Sequence, residues 1–169
     1  MKYIGMKFIN FRDYDFEPGG RHCFQWVDVR TFMIPDSAAN DDAVIDEVLR
    51  TVEYRDDYVG GGIDVDGIRH GPYWISSLSP SSFDLIDHKD AVDVLDRWLQ
   101  NCGLVPAALR AELGSSVNDA LAGADSIYLL KDLGDSAKND YGNLHMEFHE
   151  LMAIDRSAKV VSLIVLTDD

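Results

Sequence analysis

The alternation of apolar and polar positions predicts most of the chain's elements. Residues 2–10 (KYIGMKFIN) place Tyr3, Gly5, Lys7 and Ile9 on one side and Ile4, Met6 and Phe8 on the other, the period of a strand. After a loop over 11–20 marked by Pro18-Gly19-Gly20, residues 22–34 predict a long second strand, antiparallel to the first. One of its faces carries Cys23, Gln25, Val27, Val29 and Thr31. The other runs from Phe24 and Trp26 to Asp28, Arg30 and Phe32, as in a strand that leaves the core or meets a partner. Val44, Ile45, Val48, Leu49 and Val52 form a helical stripe over 41–52, with Ser37 or Asn40 as cap and Asp41-Asp42 in the first turn. A second helix spans 88–102, with Ala91, Val92, Val94, Leu95, Trp98, Leu99 and Cys102 inward, Asp87 as cap and Gly103 at its end.

Between these helices the pattern weakens. Residues 53–71 are irregular, with Gly60, Gly61 and Gly62 in a row, and 63–66 reads as a short strand turned at Asp66-Gly67 against 68–76. Residues 77–82 are a break, followed by a short turn over 83–86. Helical stretches at 106–113 and 117–123 and a strand at 126–131 precede a polar loop at 133–141. The chain then reads as a hairpin with arms 143–155 and 160–166. Its second arm, VVSLIVL, is apolar on both faces, which predicts a central strand with helices 41–52 and 88–102 packed on it. Hairpins outnumber strand–helix–strand units. The expected fold is a single α+β domain, an antiparallel or mixed sheet with two main helices on it.

Composition narrows the class. A chain of 169 residues that is 46% hydrophobic can bury one core. No apolar run approaches the roughly 20 residues that span a bilayer, and the first residues lack the pattern of a signal peptide. Cys23 and Cys102 stand far apart in apolar surroundings and are expected to be buried free thiols, which suits a reducing, cytoplasmic setting. The formal charge of −15 is unevenly spread. Residues 1–40 hold five acids and five bases, whereas 41–66 hold nine acids against Arg50 and Arg55. Such a field disfavours direct contact with nucleic acid or anionic membrane and attracts basic partners. Plain solubility is the competing explanation.

Few residues suggest chemistry. His145, Glu147 and His149 alternate, about 6–7 Å apart if in a strand, and with His70, His88, Asp64 or Asp66 as a further ligand they would suit zinc or iron. A polar sheet face explains the same pattern. Asp64 and Asp66 alone are a common pair, Gly60–62 lacks the Lys and Ser/Thr of a phosphate loop, and no nucleophile motif occurs. No cofactor is expected. A different signal is the mixing of tyrosines with acids around Asp13, Tyr14, Asp15 and Glu17, and again at Tyr54, Asp56, Asp57 and Tyr58. Exposed aromatics give buried anchor area at an interface, and carboxylates complement Lys and Arg. With Asp64 and Asp66, these residues form the expected partner-binding set.

In size, acidity, lack of catalytic motifs and the closing hairpin FHELMAIDRSAKVVSLIVLTDD, the chain resembles immunity proteins of bacterial polymorphic-toxin and contact-dependent inhibition systems. The resemblance implies a cytoplasmic, non-catalytic inhibitor that occludes a cognate toxin domain; it transfers no site residues. Two other readings stay open: a small metal-dependent enzyme using His145, His149 and an acid, and a modulator that mimics nucleic-acid charge.

Overall fold

The computed structural model describes residues 1–16 and 24–168. Six strands form one fully antiparallel sheet: β1 (Lys2–Asn10), β2 (Gln25–Met33), β5 (Phe83–Ile86), β6 (Ser126–Leu130), β7 (Phe148–Asp155) and β8 (Val160–Asp168), in the spatial order β1-β2-β8-β7-β6-β5. The helices are α1 (Asp41–Leu49), α2 (His88–Gln100), α3 (Ala107–Leu113) and α4 (Asp119–Gly123). A π turn at Gly114–Asn118 joins α3 to α4. The expected α+β class holds.

Strand β8 lies between β2 and β7, as its two-sided apolarity requires. Its side chains alternate between two cores. Val161, Leu163 and Val165 meet Val44, Ile45, Val48 and Leu49 of α1, together with Trp26, Phe32, Met152 and Ile154. Ile164 and Leu166 meet Ala91, Leu95 and Trp98 of α2, Leu109 and Leu113 of α3, and Leu121 of α4. The two main helices thus cover opposite faces, and the sheet is the middle of three layers.

The starts of the helices follow their caps. Asn40 Oδ1 accepts from the Ala43 amide, and Asp87 Oδ1 accepts from the Asp90 amide at 2.8 Å. Asp41 also ties α1 to the sheet. Its Oδ1 accepts from Arg156 Nη2 at 2.6 Å, and its Oδ2 accepts from the Ser126 and Tyr128 hydroxyls.

Several expectations are corrected. Helix α1 stops at Leu49, and Val52–Tyr54 is a separate 3-10 turn that carries Tyr54 inward. Residues 63–66 form no strand. The small hairpin is β3 (Arg69–His70) with β4 (Tyr73–Trp74), turning at Gly71-Pro72. Residues 83–86 are not a turn but edge strand β5, short and with Asp84 and Leu85 outward. The first arm of the closing hairpin begins at Phe148, which leaves His145 and Glu147 outside it. Cys102 is buried as expected but engaged in a disulfide, not a free thiol, so the case from Cys102 for a reducing compartment lapses. Cys23 lies outside the described residues.

Candidate functional site

The alternating trio does not converge. His149 Nε2 lies 3.2 Å from Glu147 Oε2, while Glu147 Oε1 accepts from Asn101 Nδ2. His145 faces elsewhere, with Nε2 at 2.9 Å from the Asp57 carbonyl and Nδ1 at 3.1 Å from Thr167 Oγ1. Burial holds the His145 imidazole below its ordinary pKa. His88 is exposed at the start of α2, and Asp64 and Asp66 are exposed in a turn where Asp64 Oδ1 accepts the Asp66 amide. Among the described residues, no three His, Cys, Asp or Glu side chains are placed to share a metal ion.

The expected partner-binding set divides by burial. Asp13, Asp15, Asp64 and Asp66 are exposed and Asp57 is half-buried. Tyr14 is half-buried against the α2-side core. It lies beside Glu112, which pairs with Lys7. Glu17 lies outside the described residues. Tyr54, Asp56 and Tyr58 are buried, so they cannot present rings or a carboxylate to an incoming protein. This is a correction with a consequence, because the three belong to an interior polar cluster.

Strand register builds that cluster. Opposed residues of an antiparallel pair share a face. Phe8 therefore stands with Asp28, and Met6 with Arg30, on the α1 side of the sheet. Helix α1 does not reach this end, and residues 52–62 fold across it instead. Tyr58 (φ 57°) adopts a left-handed backbone, costly for a residue with a Cβ, and this turns its ring inward.

Arg30 is nearly enclosed. Its Nε and Nη2 donate to Asp28 Oδ2 at 2.9 and 2.6 Å, Nη2 also donates to Asp56 Oδ2, and Nη1 donates to the Glu53 carbonyl. The Tyr58 ring centroid lies 5.0 Å from its guanidinium carbon. Burial opposes the charge, but Tyr58, Asp28 and Asp56 together hold Arg30 firmly protonated. Asp56 is saturated, since its Oδ1 accepts the Tyr58 amide at 2.9 Å.

A second group adjoins it. Tyr54 Oη donates to Glu150 Oε1 at 2.9 Å, and His70 Nε2 lies 2.7 Å from Glu150 Oε2. His70 Nδ1–H donates to the Tyr54 carbonyl, while the Tyr54 and His70 rings stack at 3.5 Å. With Nδ1 committed as a donor, Nε2 is the ring atom that meets Glu150. Both side chains are wholly buried. The pair therefore acts as internal packing and not as an acid–base group for an outside substrate.

In front of the first group lies a cavity of about 320 Å³, lined by Met6, Phe8, Trp26 and Ile63 at its apolar side and by Asp28, Arg30, Asp56 and Tyr58 at its polar side. Here one guanidinium faces two carboxyl groups. Asp28 Oδ1 and the Tyr58 hydroxyl have no hydrogen-bond partner among the described residues, although Asp28 is only 3% exposed. Burial raises the Asp28 pKa against the pull of Arg30, and it raises that of Tyr58 far above the usual tyrosine range. The sequence placed Asp28 and Arg30 on a strand leaving the core or meeting a partner, whereas both are buried, and it gave Glu150 no role. The legible signal was Asp28 and Arg30 at alternate positions of an apolar strand.

No protein family model matches the chain, and no curated protein matches it. Among solved structures, citrus MAF1 aligns over 93% of this chain and 92% of its own at 10% identity and a TM-score of 0.43, a likeness that fixes neither fold nor function.

Proposed function

We propose that this protein is a non-catalytic binding protein that neutralises a basic protein partner by covering its working surface, in the manner of toxin immunity proteins. The observation that carries the reading is the outer face of β1. This strand is nine residues long and ends the sheet. Ile4, Met6 and Phe8 are each about half exposed along it, at 52%, 54% and 49%. Long apolar edge strands are normally blunted, because their unpaired amides and carbonyls recruit other chains. Here Lys7 is the one charge between Tyr3 and Asn10. Surrounding this edge with a chain of net charge −15 favours a basic partner over a second copy.

The test is co-expression with a toxic domain encoded beside this protein's gene. Growth should be restored, and the double variant Met6→Asp, Phe8→Asp should restore it far less while remaining folded by circular dichroism. Full protection by that variant would remove β1 from the reading. No protection by the unaltered protein, with no complex in solution, would remove the function.

A further inference from the structure

The two edges of the sheet are built differently. Strand β5 closes one edge with four residues, and its exposed Asp84 carboxylate pairs with Lys131 at 3.0 Å, a short and charged edge of the kind that resists pairing. Strand β1 closes the other edge with nine residues, and its one mid-strand charge, Lys7, is drawn to Glu112 of α3. Register shows which backbone groups this longer edge leaves open. The Ile34 amide donates to the Lys159 carbonyl at 2.9 Å, which makes these two a hydrogen-bonded pair, and such pairs alternate along an antiparallel ladder. Arg30 and Asp28 therefore turn their amides and carbonyls to β8, whereas Thr31, Val29 and Val27 turn theirs to β1. The partners of the latter, Gly5, Lys7 and Ile9, face β2, and the residues between them, Met6 and Phe8, direct their amides and carbonyls away from the sheet. The same two residues carry half-exposed apolar side chains. Open donors, open acceptors and apolar area thus coincide at two alternate positions.

We propose that the basic partner contributes an extended segment that joins the sheet as a seventh strand, antiparallel to β1 and hydrogen-bonded to the backbone of Met6 and Phe8. Strand addition of this kind takes its affinity from the main chain and its specificity from alternate side chains. The antiparallel direction is the more stable per residue and the one every pair of this sheet uses. Opposed residues share a face, so the segment's residues beside Met6 and Phe8 are apolar. The residues between them are basic, because they enter the field of a chain with net charge −15. A second copy would offer a matching edge but would double the like charge. The register irregularity between Tyr3 and Gly5 interrupts the ladder, which confines the pairing to Gly5–Asn10. This inference deepens the preceding reading and rests on it for the partner's basic character.

The probes are capped peptides that alternate valine with lysine or valine with glutamate, titrated calorimetrically and followed by hydrogen exchange at the Met6 and Phe8 amides. The valine–lysine peptide should bind saturably and slow exchange at both amides, and the valine–glutamate peptide should not bind. Two N-methylated forms of the first peptide test the register on the unaltered protein. With valines beside Met6 and Phe8, the valine amides point at β1 and the lysine amides point away from it. N-methylation of the valines should weaken binding about tenfold or more through lost hydrogen bonds, and N-methylation of the lysines should leave it nearly unchanged. Phe8→Pro removes one outward donor and spares the ladder to β2, so it should weaken the unmodified peptide as well. Equal binding of the two methylated forms overturns strand addition, as does absence of binding by the unmodified peptide. Equal binding of the glutamate peptide overturns the basic segment. A dimer of this protein whose formation slows the same two amides assigns the edge to a second copy and overturns the proposal. Toxin neutralisation with unslowed exchange at Met6 and Phe8 removes the added strand and leaves the function standing; peptide pairing without neutralisation removes the function and leaves the edge.

Discussion

Asp28 works against the stability of the fold it sits in. Its carboxyl is buried, Arg30 compensates it through one oxygen only, and burial keeps its pKa above the ordinary value of 3.8. A carboxyl whose pKa is raised on folding stabilises the native state below its unfolded pKa, and that contribution is lost as pH rises through the folded value. Asp28→Asn is therefore expected to be more stable than the unaltered protein at pH 7, with the difference shrinking as pH falls toward the ordinary carboxylate value of 3.8. Urea denaturation at several pH values measures it. These residues were only half legible. The pair Asp28 and Arg30 announced itself as two charges in an apolar strand, but Glu150 and His70 did not. Their contact joins positions 80 residues apart, and no local pattern encodes such a pairing. Tyr54, Asp56 and Tyr58 misled for the opposite reason. A tyrosine–acid stretch has the composition of an exposed loop, and only the neighbouring Arg30 and Glu150 make its burial tolerable.

Elements with a strict period were readable, and those defined by distant partners were not. Strands β1, β2 and β8 and helices α1 and α2 follow from alternation or from the helical stripe, with caps where Asn40 and Asp87 place them. Strand β5 is four residues long and exists because β6 pairs with it, so its own sequence could not declare it. The join between α1 and the sheet is similarly non-local. The Asp41 carboxyl loses by burial, but hydrogen bonds from Ser126, Arg156 and Tyr128 outweigh that and hold its pKa below the usual range. Asp41→Asn should cost about 1–2 kcal/mol at neutral pH. Because the folded pKa is depressed, that margin is present above pH 3.8 and shrinks as pH falls through the folded value. Chemical denaturation of both proteins at pH 7 and pH 3 checks the sign. The β3–β4 turn offers a second comparison. Gly71 has φ 46°, and a Cβ there would lie 2.3 Å from the Phe148 ring, whereas Gly103 has φ 72° with open space around it. Gly103→Ala should cost about 1 kcal/mol, the price of a left-handed alanine, and Gly71→Ala should cost clearly more. Equal losses would mean that Phe148 moves aside freely.

For the whole molecule, charge and shape act at different stages of an encounter. Under the proposed function, the acidic field would draw a basic partner in and the exposed β1 face would hold it. Raising salt from 50 to 500 mM should then slow association with the proposed basic partner by about tenfold or more while changing dissociation little. Surface plasmon resonance separates the two rates. An equal effect on dissociation would place the charges in the contact itself. The position of β8 bears on how the protein comes into being. This strand follows the other described elements in the chain, yet β2 and β7 both hydrogen-bond to it and both cores rest on its side chains. Without it, the cores under α1 and α2 lose the strand that contributes to both. The two cores can therefore close only once β8 is made, and until then the nascent chain exposes apolar surface of the kind that chaperones engage.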